Sequence, residues 1–527
     1  MKIFTDPVLS CKQAVAFEKK FFTEDRHDEW TVMNEVGEAM GDTLLRDMRE
    51  LRTIAHRPRL LVLVGKGHNG GDALLAAKRL LRTIPTMRAV VWPLVAWSEC
   101  RPFVLQALEE AKELVGKKLE ILEPVSAYSS PDLIGEEWGK LTKLKGFDAT
   151  LDGLLGMQAK LPLRSPLKEW VHFLNQQDTL GARVAVDMPT GISDNGEGFD
   201  ESAVLRADFT YCTAIAKAPV LAKENAPFVG RIRYLELGFF DGESVEATGR
   251  GDRVIRSSSL QALRRLRPAF SEKRSNGHLL LLAGSRDFAG AAMMAAQAAL
   301  KAGVGLLSVG IPESLHATFA AQRPEAMWIP LPETPDGNLA LEGLGKVRSL
   351  LPKATALVAG PGLGQDAETF ALVRETLSYF DGPVLLDADA LRTEVLDKAP
   401  MPERLVLTPH AGEYQRIATG MAPAKFSEDN PGILILKGAH TQIFLEGCCF
   451  HSLGGSSVLA RGGSGDILAG MVGALLAKGR YSALDASILG VQWHARAGEV
   501  LARQYGQEAV FTTELLNYLS FAIRNDH

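Results

Sequence analysis

The sequence predicts an α/β protein of two three-layer domains, each a parallel sheet between helices. Three observations carry that prediction. At 527 residues the chain is too long for one hydrophobic core. Short, continuous runs of Val, Leu and Ile recur along it with helical patterns between them, as strands buried on both faces of a parallel sheet require. The alternation fails once, after Gly238, where the polar, charged, glycine-containing stretch 239–259 reads as a linker. The expected division is 1–240, a linker at 241–259, and 260–527.

Two amphipathic segments open the chain, at about 8–22 and 31–53. The strands of the first half are expected at "LLVLVG" (60–65), "AVVWPLVAW" (89–97), "FDATLDGLLG" (147–156), "ARVAVDMPTG" (182–191), "DFTYCT" (208–213) and "IRYLEL" (232–237). Those of the second half are expected at "HLLLLAG" (278–284), "GLLSVGIP" (305–312), "ALVAGPG" (356–362), "PVLLDAD" (383–389), "RLVLTPH" (404–410) and "GILILKG" (432–438). The most apolar long stretch, 289–312, is interrupted by Lys301 and several glycines, so a buried helix–strand pair is expected and not a membrane span. "SGDILAGMVGALLAKG" (464–479) is the last strong helical pattern before the tail.

The composition, 46% hydrophobic and 23% charged, is that of a soluble globular protein. A net charge of -5 points to neither nucleic acid nor an anionic membrane surface. Five cysteines, odd in number and without a CxxC pair, fit a reducing cytoplasm and supply no disulfide framework or zinc site. The start has no apolar h-region, so no signal peptide is read.

Two glycine-rich turns carry the chemistry. "GKGHNGGD" (65–72) follows a strand and opens a helix, where backbone N–H groups bind anions and glycine admits a ligand closely. Gly65, Gly67 and Gly70 satisfy G-x-G-x-x-G. A dinucleotide site would also need an acid closing the second strand, and none occurs before Glu99. Asn69 adds a neutral oxygen and Asp72 an acceptor. Asp152 and Asp187 end strands, at the rim where parallel sheets bind ligands. Each could equally cap a turn.

The second turn, "ARGGSGDILAG" (460–470), lacks the Lys-Ser or Lys-Thr of a P-loop and places a carboxylate beside an anion cradle. That pairing is explained if the carboxylate binds a hydroxyl. The N–H groups of Gly463, Ser464 and Gly465 can hold a transferring phosphoryl group while Asp466 accepts the proton of the alcohol being phosphorylated. Asp in a first helical turn is also favourable to the dipole without any chemistry. His410 and Glu413 are spaced i, i+3 but lack the HExxH helical context of a metal pair. His494 reads as a helix-packing residue.

The first half resembles the NAD(P)H-hydrate epimerases through "GKGHNGGDALLAAKRL", "LDGLLG" and "VDMPTG". The resemblance implies a Rossmann-like domain in which the turn His68, Asn69, Gly70, Gly71 and Asp72 contacts the substrate's phosphates. It implies a pocket lined by Gly156, Met157, Gln158, Ala159, Lys160, Leu161 and Pro162. Asp187 becomes the acid/base at the hydrated ring carbon, and Asn69, Asp152 and Thr190 a potassium site. His68 stands where that family usually has Asn, and Thr190 where it has Ser.

The second half resembles the ribokinase-like ADP/ATP-dependent NAD(P)H-hydrate dehydratases. Six motifs occur in order: "GSRDFAGAAMMAAQAALKAGVGLLSVGIP", "AGPGLGQD", "LLDADAL", "LTPHAGEYQRI", "LKGAHTQI" and "ARGGSGDILAG". Carried over by position, Ala291, Gly362, Gly364 and His410 face the hydrated nucleotide together with Asp466. Lys437, Gly438, Ala439, His440, Thr441 and Gly465 hold the adenine nucleotide, and Asp466 is the base. The implied activity is repair of hydrated NADH and NADPH: interconversion of R and S epimers, then phosphorylation of the S form's C6 hydroxyl and loss of phosphate. Mg2+ with ADP or ATP is implied, with ADP favoured by the fusion of both domains, as is a cytoplasmic homo-oligomer. The alternative is a ribokinase-like small-molecule kinase carrying a non-catalytic N-terminal binding domain.

Overall fold

The computed structural model describes residues 3–23, 27–51, 54–128, 130–194, 199–241, 251–397, 402–418 and 420–524. The chain divides into two compact units, Asp6–Ala247 and Met1–Thr5 with Thr248–His527. No helix among the described residues is long and apolar enough to cross a membrane.

The N-terminal unit contains β1 (Thr5–Leu9), β2 (Arg59–Val64), β3 (Arg88–Pro93), β4 (Leu119–Ile121), β5 (Ala149–Gly153), β6 (Ala182–Val186), β7 (Phe209–Thr213), β8 (Ala216–Lys217) and β9 (Arg231–Leu235). Its main sheet is parallel throughout, in the order β4-β3-β2-β5-β6-β7-β9. The continuous apolar run of β2 divides by parity. Leu60, Val62 and Val64 enter one buried cluster, and Leu61 and Leu63 another. That is the signature of helices on both faces. The chain winds from β2 outward to β4, then returns to place β5 on the other side of β2. Ligands bind at such a switch point, between the C-terminal ends of the two strands.

The first amphipathic segment is a helix, Cys11–Thr23, preceded by β1, which pairs in parallel with the two-residue β8. The second is the helix Glu29–Leu51. No periodic signal marks β1, β4 or β8 along the chain. They are too short for a pattern, and tertiary pairing makes them strands.

The C-terminal unit contains β10 (Arg253–Ile255), β11 (His278–Leu282), β12 (Leu306–Pro312), β13 (Met327–Leu331), β14 (Ala356–Ala359), β15 (Val384–Leu386), β16 (Leu405–Leu407), β17 (Ile433–Leu436), β18 (Thr441–Leu445) and β19 (Cys448–Ser452). Their order is β13-β12-β11-β14-β15-β16-β17-β18-β19-β10. Strands β13 to β17 are parallel, and β18 is antiparallel to both neighbours. The switch point lies between β11 and β14. Leu279 and Leu281 face one cluster and Leu280 and Leu282 the other, so this unit is also three-layered.

Part of the expected linker, 241–259, folds. Residues 242–250 lie outside the described residues, but β10 pairs in parallel with β19 and buries Val254 and Ile255. A three-residue strand flanked by arginines leaves no legible alternation. The expected pair at 289–312 is the helix Ala289–Lys301 followed by β12.

Candidate active sites

A cleft of about 820 Å³ opens at the switch point of the N-terminal unit. The glycine-rich turn leaves β2 and enters the helix His68–Thr83, whose N-cap Gly67 has no side-chain cap and open space beside it. A Cβ on Gly65 would stand 1.8 Å from the Leu154 carbonyl oxygen, so the turn is pressed against the end of β5 and only glycine fits. His68, Asn69 and Asp72 line the cleft, whereas Gly70 and Gly71 are buried in helix packing behind it.

Asp187 sits on the cleft wall at φ 68, a conformation that Asp tolerates better than most residues. Its N–H donates to the Tyr211 carbonyl. Its Oδ1 accepts from the Thr213 hydroxyl at 3.0 Å and from the Lys217 ammonium. Both partners of the Asp187–Lys217 ion pair are buried. Burial pulls the Lys217 ammonium down, but the charges of Asp187 and Glu18 outweigh it and hold the group above its ordinary value. The β1–β8 ladder sets Lys217 opposite Leu9 and so aims it at Asp187.

Two further carboxyls share this cleft. Burial, opposed by Lys217 and reinforced by Asp187 and Glu29, pushes Glu18 up to about 7. Asp72 is raised well above the usual range, by burial first and then by Asp187 and Glu18. Its Oδ1 is buried with no hydrogen-bond partner among the described residues. Asp72 therefore offers the cleft a buried carboxyl oxygen that no described residue engages.

Asp152 and Thr190 bond to each other, and Asn69 and Thr190 both bond to the Leu155 backbone. Asn69 Nδ2 donates to the Leu155 and Val186 carbonyls, which turns Oδ1 toward Gly156. Asp152 accepts from the Thr190 hydroxyl at 2.8 Å and the Thr190 N–H at 2.9 Å. Burial pushes it up to about 6, and no cationic side chain pairs with it among the described residues. Gly156, Met157, Gln158 and Ala159 line the cleft. The lining ends there. The chain turns back through the Ala159 N–H to the Gly156 carbonyl, Lys160 and Pro162 are exposed, and Leu161 packs on the cluster around Trp92. His68 faces Glu29 at 3.4 Å, and burial lowers its pKa, partly offset by that glutamate.

In the C-terminal unit the ends of β11, β14, β15, β16 and β17 converge on one site. After β14, a Cβ on Gly362 would meet Ala291 Cβ at 2.8 Å, which brings those two expected substrate contacts together. Gly364 donates its N–H to Asp389 at 3.0 Å. After β16, His410 Nδ1 accepts the Gly412 N–H, while Glu413 accepts the His410 N–H. After β17, the part-buried Lys437 ammonium lies 2.7 Å from Asp387 Oδ1 and 3.6 Å from Glu413. Burial pulls it down, and Asp387 and Glu413 raise it further than that. Gly438, Ala439, His440 and Thr441 continue from it into β18 as a half-exposed rim.

The helix Ser464–Ala477 delivers Asp466 to this cluster. Its N-cap Gly463 has φ 90, and a Cβ there would lie 2.4 Å from Met294 Cε. Gly470 lets the helix press on the neighbouring backbone, where a Cβ would stand 2.1 Å from the Ala295 carbonyl oxygen. The Ser464 N–H is spent on the Arg461 carbonyl at 3.3 Å, and its hydroxyl meets His494 at 3.1 Å. The N–H groups of Gly463, Gly465 and Asp466 have no acceptor among the described residues. Lys437 Nζ lies 3.2 Å from where a Gly465 Cβ would stand. Of the expected anion hole of Gly463, Ser464 and Gly465, the Ser464 N–H is engaged, and Lys437 brings an ammonium beside Gly465.

The Asp466 carboxylate has no hydrogen bond among the described residues. Burial, reinforced by Asp387 and opposed by Lys437, pushes it up to about 7. His494, fully buried, is pushed down to about 4 by that burial and stays neutral. Lys217, Glu18, Asp387 and Asp389 were not singled out from the sequence. A lone lysine in the apolar run "TAIAKAPV" is the one local signal for the first.

Both halves match known proteins in order. Residues 279–520 match the family described as NAD(P)H-hydrate dehydratase, and residues 30–218 match the YjeF-related protein N-terminus. A bifunctional NAD(P)H-hydrate repair enzyme of Gloeobacter violaceus is 35% identical over 473 residues, 85% of each chain. The Moorella thermoacetica enzyme of that name is 31% identical over 90% of this chain and 88% of its own. A solved Bacillus subtilis ADP/ATP-dependent NAD(P)H-hydrate dehydratase, co-crystallised with ATP/Mg2+, is 28% identical and covers 51% of this chain and 96% of its own at a TM-score of 0.44. With both family segments present in order and a relative at that identity spanning most of its length, this chain belongs to the bifunctional NAD(P)H-hydrate repair enzymes.

Proposed function

We propose that the two units perform consecutive steps on one damaged cofactor, with Asp187 and Asp466 as the working acids of the two sites. The N-terminal unit epimerises the R and S forms of hydrated NADH and NADPH. Asp187 moves the proton at the hydrated carbon, held by Lys217 and Thr213. Glu18, poised near neutrality in the same cleft, is placed to carry the complementary proton. The turn Gly67–Asn69 receives the substrate's phosphates at the helix start.

Asn69, Asp152 and Thr190 would hold a potassium ion: the donors are all oxygen, and the buried Asp152 carboxyl lacks a cationic partner. That ion would supply a fixed positive charge beneath the phosphate-binding turn.

The C-terminal unit dehydrates the S form at the expense of ADP or ATP entering with Mg2+. Asp466 takes the proton of the C6 hydroxyl as its oxygen bonds to the terminal phosphorus, and the bond from that phosphorus to the departing nucleotide breaks. Gly465 N–H and Lys437 face the charge that develops. Phosphate then leaves with the C6–O bonding pair, pushed by the ring nitrogen lone pair. Loss of a C5 proton restores the dihydropyridine.

The observation that carries this reading is Asp466 itself: a half-buried carboxylate with no hydrogen bond among the described residues, next to Gly465, which Lys437 approaches. The preference for ADP, a homo-oligomeric state and a cytoplasmic location belong to the same reading. The free cysteines among the described residues support a reducing compartment. Incubation of mixed NADPH-hydrate epimers with ADP and Mg2+ tests it. Complete recovery of NADPH absorbance with release of phosphate is expected. A stable phosphoester without recovered NADPH overturns it in favour of a small-molecule kinase, and a stall near the S fraction removes the epimerase half.

A further inference from the structure

A second cavity, about 360 Å³, lies in the C-terminal unit away from Asp466. Arg265, Arg267, Lys301, Lys478 and Arg480 line it, with no Asp or Glu among its lining residues. None of these cations forms a salt bridge among the described residues, although arginines and lysines elsewhere in the same unit do so repeatedly. The two that have partners use neutral oxygens. Lys478 donates to the Ala302 carbonyl at 2.6 Å, and Arg480 to Asn276 Oδ1 at 2.9 Å.

Helix ends explain only part of this. Lys301 ends the helix Ala289–Lys301 and Lys478 caps the helix Ser464–Ala477, where cations complement the C-terminal partial charge. Arg267 Nη2 also lies beside Gly303, just past the first of these helix ends, but Arg265 has no such role and three further cations crowd the same wall. Their cost is visible at Lys478, pushed down to about 8 by burial and then by the charges of Arg267 and Arg480. The remaining wall is apolar and aromatic, with Tyr481, Trp493, Leu516 and Leu519. Trp493 has its indole N–H satisfied by the Leu519 carbonyl, so it presents carbon.

The cavity sits at the opposite end of the 14-residue helix that begins beside Asp466. At 1.5 Å per residue the separation along that helix is roughly 20 Å. Residues just before β11, at the N-terminal edge of the sheet, adjoin it through Asn276. The catalytic residues all follow the C-terminal ends of the strands.

We propose that this cavity is a second anion site, taking a small molecule that joins two or more phosphates to an apolar or aromatic body, of the nucleoside di- or triphosphate class. Guanidinium forks grip phosphate oxygens in pairs, and the volume lies within the ordinary range of ligand pockets, roughly 300–1,000 Å³. The phosphates neutralise a cluster that the described residues leave without a salt bridge. The body lies on the wall formed by Tyr481 and Trp493.

Equilibrium dialysis of the full chain against labelled ADP tests this. Two sites per chain are expected. Arg267→Glu with Arg480→Glu weakens one of them by about tenfold or more and leaves the other, and the dehydratase kcat, unchanged. Arg267→Gln with Arg480→Gln serves if charge reversal prevents folding, and a smaller loss at the same site is expected. Inorganic pyrophosphate displaces ADP from this site, which distinguishes recognition of the phosphates from recognition of the base. One site per chain in the wild type, two undiminished sites in both double variants, or displacement by adenosine but not by pyrophosphate each overturns the assignment.

Discussion

The two units solve the same problem with the same parts and reach opposite electrostatic states. Each places a glycine turn, an aspartate and a lysine at the C-terminal edge of a parallel sheet. In the N-terminal unit the lysine clamps the working acid itself, Lys217 on Asp187. In the C-terminal unit the lysine is spent on a different acid, Lys437 on Asp387, and Asp466 is left without a hydrogen bond and pushed up to about 7. The difference shows how one set of residue types yields two behaviours. A buried ion pair fixes a carboxylate's charge and geometry, whereas burial beside other carboxylates keeps one poised to take a proton at neutral pH.

The largest expected effect breaks the comparison at Asp466. Asp466→Asn lowers dehydratase turnover by about 10²–10⁴-fold and leaves epimerisation intact, read by NADPH recovery from S epimer and by epimer exchange without nucleotide. Donor consumption at the wild-type rate would remove Asp466 from the chemistry. Asp187→Asn does the reverse: epimer exchange slows by about 10²-fold or more while dehydration of pure S epimer continues.

Lys217→Met sharpens the contrast by stability. It leaves Asp187 buried and uncompensated, at a cost of about 3–5 kcal/mol in urea unfolding at neutral pH.

The pH dependence follows from the sign of the Asp466 shift. A base must be ionised to act, so dehydratase kcat/KM rises with pH through about 7. Lys437 opposes the upward shift, so Lys437→Met moves this limb to higher pH. A limb that stays in place in that variant would separate the two groups. The smallest effect is His68→Asn. The half-exposed His68–Glu29 contact is worth at most about 1 kcal/mol, so the epimerase KM changes by less than about fivefold in steady-state assays.

Much of this was legible along the chain. Continuous apolar strands indicated three-layer sheets because the two parities of one strand face two cores, as Leu60 and Leu61 do. The turns at 65–72 and 460–470 announced themselves because close approach admits only glycine at positions such as Gly65 and Gly463. Short elements stayed silent. β10, β18 and β19 are three to five residues long and mix an arginine, a glutamine, two cysteines and a histidine with their apolar residues, and only pairing makes them strands.

The sequence by itself determined the order of strands and turns, the residue types at each rim, and the carboxylates available to each site. Tertiary structure alone decided which lysine meets which acid. Lys217 and Asp187 are 30 residues apart, Lys437 and Asp387 are 50 apart, and neither spacing has a local signature. Desolvation and Coulomb energies depend on distance through space and on access to water, so the upward pKa shifts of Asp466, Glu18 and Asp72 exist only once the strands have been brought side by side.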